Sequence, residues 1–149
     1  MMTLTSSLAQ YRNVFIDTSP IIYFLEAHPL FGPPAKEIFT ALQNGTFVAS
    51  TSVLTLTEVL VKPVERGDLN LARTFSRFLR TGVNFSLIEI TEQIAEEAGY
   101  LCGSYPFLKT VDSLQIVAAT DAGADVFLTN DKKLRQISEI PVLVLADFV

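Results

Sequence analysis

Cysteine and histidine occur once each in the 149 residues, at Cys102 and His28. A single cysteine excludes a disulfide framework and a cysteine-based zinc cluster, and it fits a reducing compartment. Cys102 lies among Tyr100, Leu101 and Gly103, with no basic neighbour to lower its pKa, and reads as a small core hydrophobe rather than a nucleophile. His28 falls in a turn and reads as a surface residue, so no sequence-local Ser–His–Asp or Cys–His arrangement is available. Charge is scarce too: 18% of residues are charged, against a norm of about 25%. Basic residues are the scarcer kind, 11 Lys plus Arg against 16 Asp plus Glu, for a net charge of -5 and a pI of about 4.8. That excludes a broad basic face for nucleic acid; any such role must be local or must use bound cations. No apolar run approaches the roughly 18 residues of a membrane span. The opening MMTLTSSLAQYRN lacks the basic start and long apolar stretch of a signal peptide. The expectation is a cytoplasmic globular domain, a single one over residues 1–149, with no membrane contact.

Apolar residues fill the space that charge leaves. They make up 49% of the chain, eleven of them Phe, and mean hydropathy is +0.37. Disorder is excluded. A chain of this length buries roughly 70% of its unfolded surface, so a surplus of this kind leaves an apolar patch, and such patches mark partner surfaces. A homodimer, a tight protein partner or both are expected. The excess concentrates in Ile21-Ile22-Tyr23-Phe24-Leu25, which is too apolar for one buried stripe; burial of that helix on two sides within the domain is the alternative.

Strand patterns at 14–16, 47–49, 85–90, 126–128 and 142–145 alternate with helical ones. Ser19 with Pro20 predicts a capped helix start running to Glu26. Further helices are expected over 35–42, 52–66 with Pro63 as a break, 67–80, 92–102 and 109–122, the last apolar nearly all round. Short apolar strands separated by helices predict a three-layer α/β/α domain with a central, mainly parallel five-stranded sheet. Such sheets carry their sites at the carboxyl ends of the strands.

Four acids from four segments fall on that edge. Asp17 ends the first strand and Asp131 follows the fourth. Asp112 and Glu58 sit in the opening turns of helices that start at the same edge. Each has a structural explanation alone. Thr55-Leu56-Thr57-Glu58 matches a capping box, Asp112 complements a helix dipole, Asp131 caps a helix from Lys132, and Asp17 accepts backbone N–H groups at its turn. Together they repel one another unless a cation joins them. Oxygen-only ligands suit Mg²⁺ or Mn²⁺, which orient water and stabilise charge on a phosphodiester under attack.

Four stretches then resemble the PIN-domain family, most of all the VapC-type ribonuclease toxins. They are Val14-Phe15-Ile16-Asp17-Thr18-Ser19, Thr55-Leu56-Thr57-Glu58-Val59-Leu60, Val111-Asp112-Ser113-Leu114-Gln115-Ile116-Val117-Ala118-Ala119-Thr120, and Val126-Phe127-Leu128-Thr129-Asn130-Asp131. Their order is the family's. The resemblance implies a PIN-like fold and a metal-dependent endoribonuclease in which Asp17, Glu58, Asp112 and Asp131 bind Mg²⁺ or Mn²⁺ and drive cleavage. It also implies an RNA substrate, an antitoxin protein and a homodimer. Thr129 matches the hydroxyl that often precedes the last acid, and Thr18 or Ser19 is placed to help position metal or phosphate.

Two alternatives stay open. One is a catalytically inactive PIN-like module that binds RNA or protein. The other is an aspartyl-phosphate protein of the receiver or phosphatase kind, with Asp17 as acceptor. Against the second, Ser19 stands where such phosphatases carry another acid, and Lys132 and Lys133 are only loosely placed for a receiver. Arg73, Arg77 and Arg80 share one helical face beside Lys62 and Arg66, either to guide phosphates or as a solvated face near Glu65 and Asp68. Asp147 is either a fifth carboxylate of the edge or a surface residue.

Overall fold

The computed structural model describes residues 3–149. Five strands, β1 (Asn13–Ile16), β2 (Val48–Ser52), β3 (Phe85–Ile88), β4 (Val126–Thr129) and β5 (Val142–Val144), form one sheet in the order β3-β2-β1-β4-β5. Every neighbouring pair is parallel. The helices are α1 (Leu4–Leu8), α2 (Thr18–Leu25), α3 (Gly32–Gln43), α4 (Val53–Glu65), α5 (Leu69–Thr81), α6 (Glu92–Ser104) and α7 (Thr110–Asp121). Short 3₁₀ turns over Lys132–Gln136 and Leu145–Phe148 bracket β5. Among the described residues no helix is long and apolar enough to cross a membrane.

The pleat of β1 divides the core in two. Val14 and Ile16 point to one side, where they join Ile21, Ile38, Phe39, Val59, Phe75 and Leu79 from α2 to α5. Phe15 points to the other, with Ile94 and Ala98 of α6 and Ile116 to Ala119 of α7. Alternation with period two in a strand buried on both faces produces the three layers. Phe15 stacks on Phe127 of β4 at 5.4 Å, its partner in the register. The opposite layer is held by an aromatic cluster in which Phe24 meets Phe39 at 4.6 Å and Phe78 at 5.5 Å.

The chain starts in the middle of the sheet, moves outward to β2 and β3, then crosses back to place β4 on the other flank of β1. The strand order therefore reverses between β1 and β4. A crevice opens at the carboxyl ends of such a pair, where the two following connections diverge.

Several element boundaries differ from the sequence expectation. α2 is capped by Asp17, not Ser19, and Thr18 is its first residue. The carboxylate accepts from Thr18 N–H, so the helix starts directly off β1 and Pro20 still falls within the first turn, where its missing N–H costs nothing. Pro63 lies inside α4, which continues two residues further to Glu65. So close to the helix end, only one intrahelical bond is lost. α5 begins at Leu69, with Asp68 accepting from Leu71 N–H at 3.1 Å, because Gly67 has φ +73° and turns the chain out of α4.

Candidate functional site

Asp17 is the residue after β1, and the register, carried two steps further along β2 and one along β4, sets it between Ser52 at the end of β2 and Thr129 at the end of β4. All three point into the layer containing α7. Asp17 is 8% exposed. Its Oδ2 accepts from Thr129 Oγ1 at 2.8 Å. Its Oδ1 accepts from Thr18 N–H at 2.9 Å and, at 3.4 Å, from Gln115 Nε2 of α7. Burial raises the Asp17 pKa from 3.8 to about 6; the Thr129 and Thr18 hydrogen bonds pull it down, and the nearby charges of Asp112 and Glu58 push it further up.

Asp112 lies in the first turn of α7, half-buried. Its pKa is also raised, first by burial and then by Asp131, against the opposing pull of Lys109 and Lys133; Glu58 adds a smaller push. The four acids are thus linked through space: Asp17 with Asp112 and Glu58, and Asp112 with Asp131 and Glu58. Asp131 caps the 3₁₀ turn, its Oδ1 accepting from Lys133 N–H at 3.0 Å, while its own N–H donates to Thr129 Oγ1 at 3.1 Å. Asn130 steadies that loop, donating to Tyr23 Oη at 3.1 Å and accepting from Ala146 N–H at 2.9 Å.

Glu58 corrects one expectation. α4 starts at Val53 with Ser52 as its cap, accepting from Leu54 N–H at 3.2 Å, so Thr55 is inside the first turn and no Thr55–Glu58 capping box forms. The exposed Glu58 carboxylate instead accepts from Thr18 Oγ1 at 2.8 Å. Behind that contact runs a buried chain of hydroxyls. Thr51 Oγ1 donates to Thr55 Oγ1 at 2.8 Å, and Thr55 and Thr18 share a 2.8 Å contact. Sequence reading missed Thr51, Ser52, Thr55 and Gln115 as site supports. The one signal was Gln115, an amide set between Leu114 and Ile116 of an otherwise apolar helix.

The edge is therefore a set of hard oxygen donors carrying repelling charges, the donor chemistry that a divalent cation fits. Among the described residues no three Asp, Glu, His or Cys side chains already stand as a metal-holding group.

The remaining candidates lie elsewhere. Asp147 forms an ion pair with Arg135, both exposed, which gives it a surface role. His28 is half-buried rather than a free surface group: Nδ1 accepts from Leu30 and Phe31 N–H, and its ring packs on Tyr23 at 4.8 Å. Cys102 donates to Leu108 O at 3.3 Å. Arg73, Arg77 and Arg80 are exposed on α5, and Lys62 pairs with Glu26 at 3.6 Å.

Residues 14–140 match the family model described as PIN domain. No curated relative matches by sequence. Among solved structures, VapBC2 from Rickettsia felis bound to a DNA fragment from its promoter superposes with a TM-score of 0.71 at 15% identity, covering 89% of this chain and 98% of that one. The sarcin-ricin-loop-cleaving toxin VapC20 of Mycobacterium tuberculosis gives 0.68 at 17% identity, covering 86% and 98%. A toxin–antitoxin complex from Klebsiella pneumoniae gives 0.65 at 21% identity, covering 89% and 97%. At these identities the likeness is one of fold.

Proposed function

The chain belongs to the PIN domain family, and from that premise we propose that it is a divalent-metal-dependent endoribonuclease, the toxin of a toxin–antitoxin pair. The reading takes the whole chain as one cytoplasmic domain. The observation that carries it is the buried Asp17, coupled to Glu58 and Asp112 and through Asp112 to Asp131, at the reversal point of a parallel sheet.

Asp17, Glu58, Asp112 and Asp131 would hold Mg²⁺ or Mn²⁺. Such an ion supplies the positive charge that draws in a phosphodiester and offsets the charge that develops as water attacks it. The protein groups have separate tasks. Thr129 Oγ1 and Thr18 N–H fix the two oxygens of Asp17, and Thr18 Oγ1 fixes Glu58. Lys109 and Lys133, exposed and near enough to act on Asp112, are set to take phosphate oxygens. The hydroxyls of Thr18 and Thr129 are buried and engaged with carboxylates, and the reaction needs no protein nucleophile. Both oxygens of Asp17 are likewise engaged, which speaks against a phosphate acceptor there.

Structured RNA is the proposed substrate class, an antitoxin the proposed protein partner, and a homodimer the proposed assembly. Solved structures of the same fold include a sarcin-ricin-loop-cleaving toxin and a toxin–antitoxin complex. The deciding experiment incubates purified, partner-free protein with a mixed tRNA and structured-RNA pool in Mg²⁺, Mn²⁺ or EDTA, beside Asp112→Asn. Cleavage is expected only with metal and only in the wild type. A folded protein that cuts nothing under any of these conditions would instead be a binding-only module.

A further inference from the structure

Gln115 is fully buried in the middle of α7, where an amide is costly unless its polar atoms are paired. Its Oε1 accepts a short hydrogen bond from Ser52 Oγ. Its Nε2 donates to Thr55 Oγ1 at 2.9 Å and lies 3.3 Å from Thr18 Oγ1 and 3.4 Å from Asp17 Oδ1. The reverse amide orientation would set Oε1 against the Asp17 carboxylate, so the donor faces the acids.

The directions of the hydroxyl bonds follow by counting protons. Each threonine hydroxyl has one to give. Thr18 gives its own to Glu58, so Thr55 donates to Thr18 and Thr51 to Thr55. Thr55 Oγ1 then receives two hydrogen bonds, from Thr51 and from Gln115, and passes one on toward Glu58. A single side chain below the surface thus touches Asp17 directly and reaches Glu58 through Thr55 and Thr18. It also ties both to Ser52, which caps α4, the helix that carries Glu58.

We propose that Gln115 is a positioning residue that locks Asp17 and Glu58 into one arrangement, and that Ser52 acts on that arrangement in part through Gln115, beside its cap on α4. The inference rests on the metal-dependent reading above. Outer partners of this kind change metal affinity by about 10–100-fold when removed.

The test titrates Mn²⁺ into wild type, Gln115→Met, Ser52→Ala and the double variant, reading bound metal by electron paramagnetic resonance and fold by thermal melting. Ser50→Ala serves as control, since Ser50 lies on the same sheet face one pleat deeper and its buried hydroxyl has no partner. Gln115→Met should weaken Mn²⁺ binding about tenfold or more, Ser52→Ala less, and the double variant by less than the two effects combined. Ser50→Ala should bind as wild type does. Strict additivity, or unchanged affinity in a folded Gln115→Met, overturns the positioning role while leaving the nuclease reading intact. If Gln115→Met does not fold, unchanged affinity in Ser52→Ala overturns it. Wild-type protein that takes up no Mn²⁺ brings down both.

Discussion

Asp17 pairs a stability cost with its proposed role as a ligand. Its folded pKa, about 6, lies above the unfolded 3.8. Well below 3.8 the carboxyl is neutral in both states and contributes no difference. Between the two values the unfolded chain loses its proton first, so stability falls as pH rises, and above about 6 the full cost applies. That cost is about 3 kcal/mol at most. Asp17→Asn removes it and loses a ligand charge; with its oxygen kept for Thr129, its NH2 faces the Thr18 N–H and Gln115 Nε2 donors, a cost that does not change with pH. In EDTA the melting temperature of the variant relative to wild type should therefore rise from pH 3 to pH 8, while its RNA cleavage is abolished. A difference that stays the same at both pH values would show that the buried charge is not being opposed by the fold.

The position of the acids at the sheet edge was legible in the sequence because each lies beside a strand end or in the first two turns of a helix, and such a position needs no side-chain geometry. Glu58 was legible at that edge but not in its contact: Ser52 and Thr55 stand three apart, as do Thr55 and Glu58, so sequence alone does not fix where the helix starts. Gln115 stayed hidden for another reason. α7 reads as apolar nearly all round, but which side chains meet the amide of Gln115 depends on packing against the ends of β1 and β2 and the start of α4.

Among the elements, α5 and α7 divide the basic charge in a way the spacing of arginines does not foretell. Arg73, Arg77 and Arg80 recur on one face because Ala72, Phe75 and Leu79 take the other into the core, so amphipathic packing already accounts for their pattern. Lys109 directly precedes α7 and Lys133 lies in the 3₁₀ turn after β4, and both act on Asp112. Salt dependence separates the two sets. Each lost phosphate contact should flatten the slope of log binding against log salt by about 0.7 for single-stranded RNA. Lys109→Ala with Lys133→Ala should raise KM and flatten that slope, whereas Arg77→Ala with Arg80→Ala should leave both unchanged. The reverse result would move the RNA path from the α7 edge to α5.

The direction of the strands was legible as a class, parallel and covered on both faces, because strands buried on both sides carry no alternation and must be separated by helices. Which strands neighbour β1 was not, since the crossing back to β4 depends on packing across the whole sheet. The same limit applies to the apolar surplus. Ile21 of α2 is buried, while Ile22, Tyr23, Phe24 and Leu25 are only partly covered against the core. That helix is therefore neither fully internal nor a simple one-sided stripe, and the area left open adds to exposed Leu30, Val61, Val64 and Leu69. A net charge of -5 on each chain opposes self-association at low ionic strength and is screened beyond a Debye length of about 10 Å at 0.1 M salt. Hydrophobic contact is not screened. If apolar surface drives dimerisation, sedimentation equilibrium should show a dimer that strengthens from 0.02 to 0.3 M salt. A monomer at every concentration and salt would assign the open apolar surface to a different protein, the proposed antitoxin, and leave the acid edge complete within one chain.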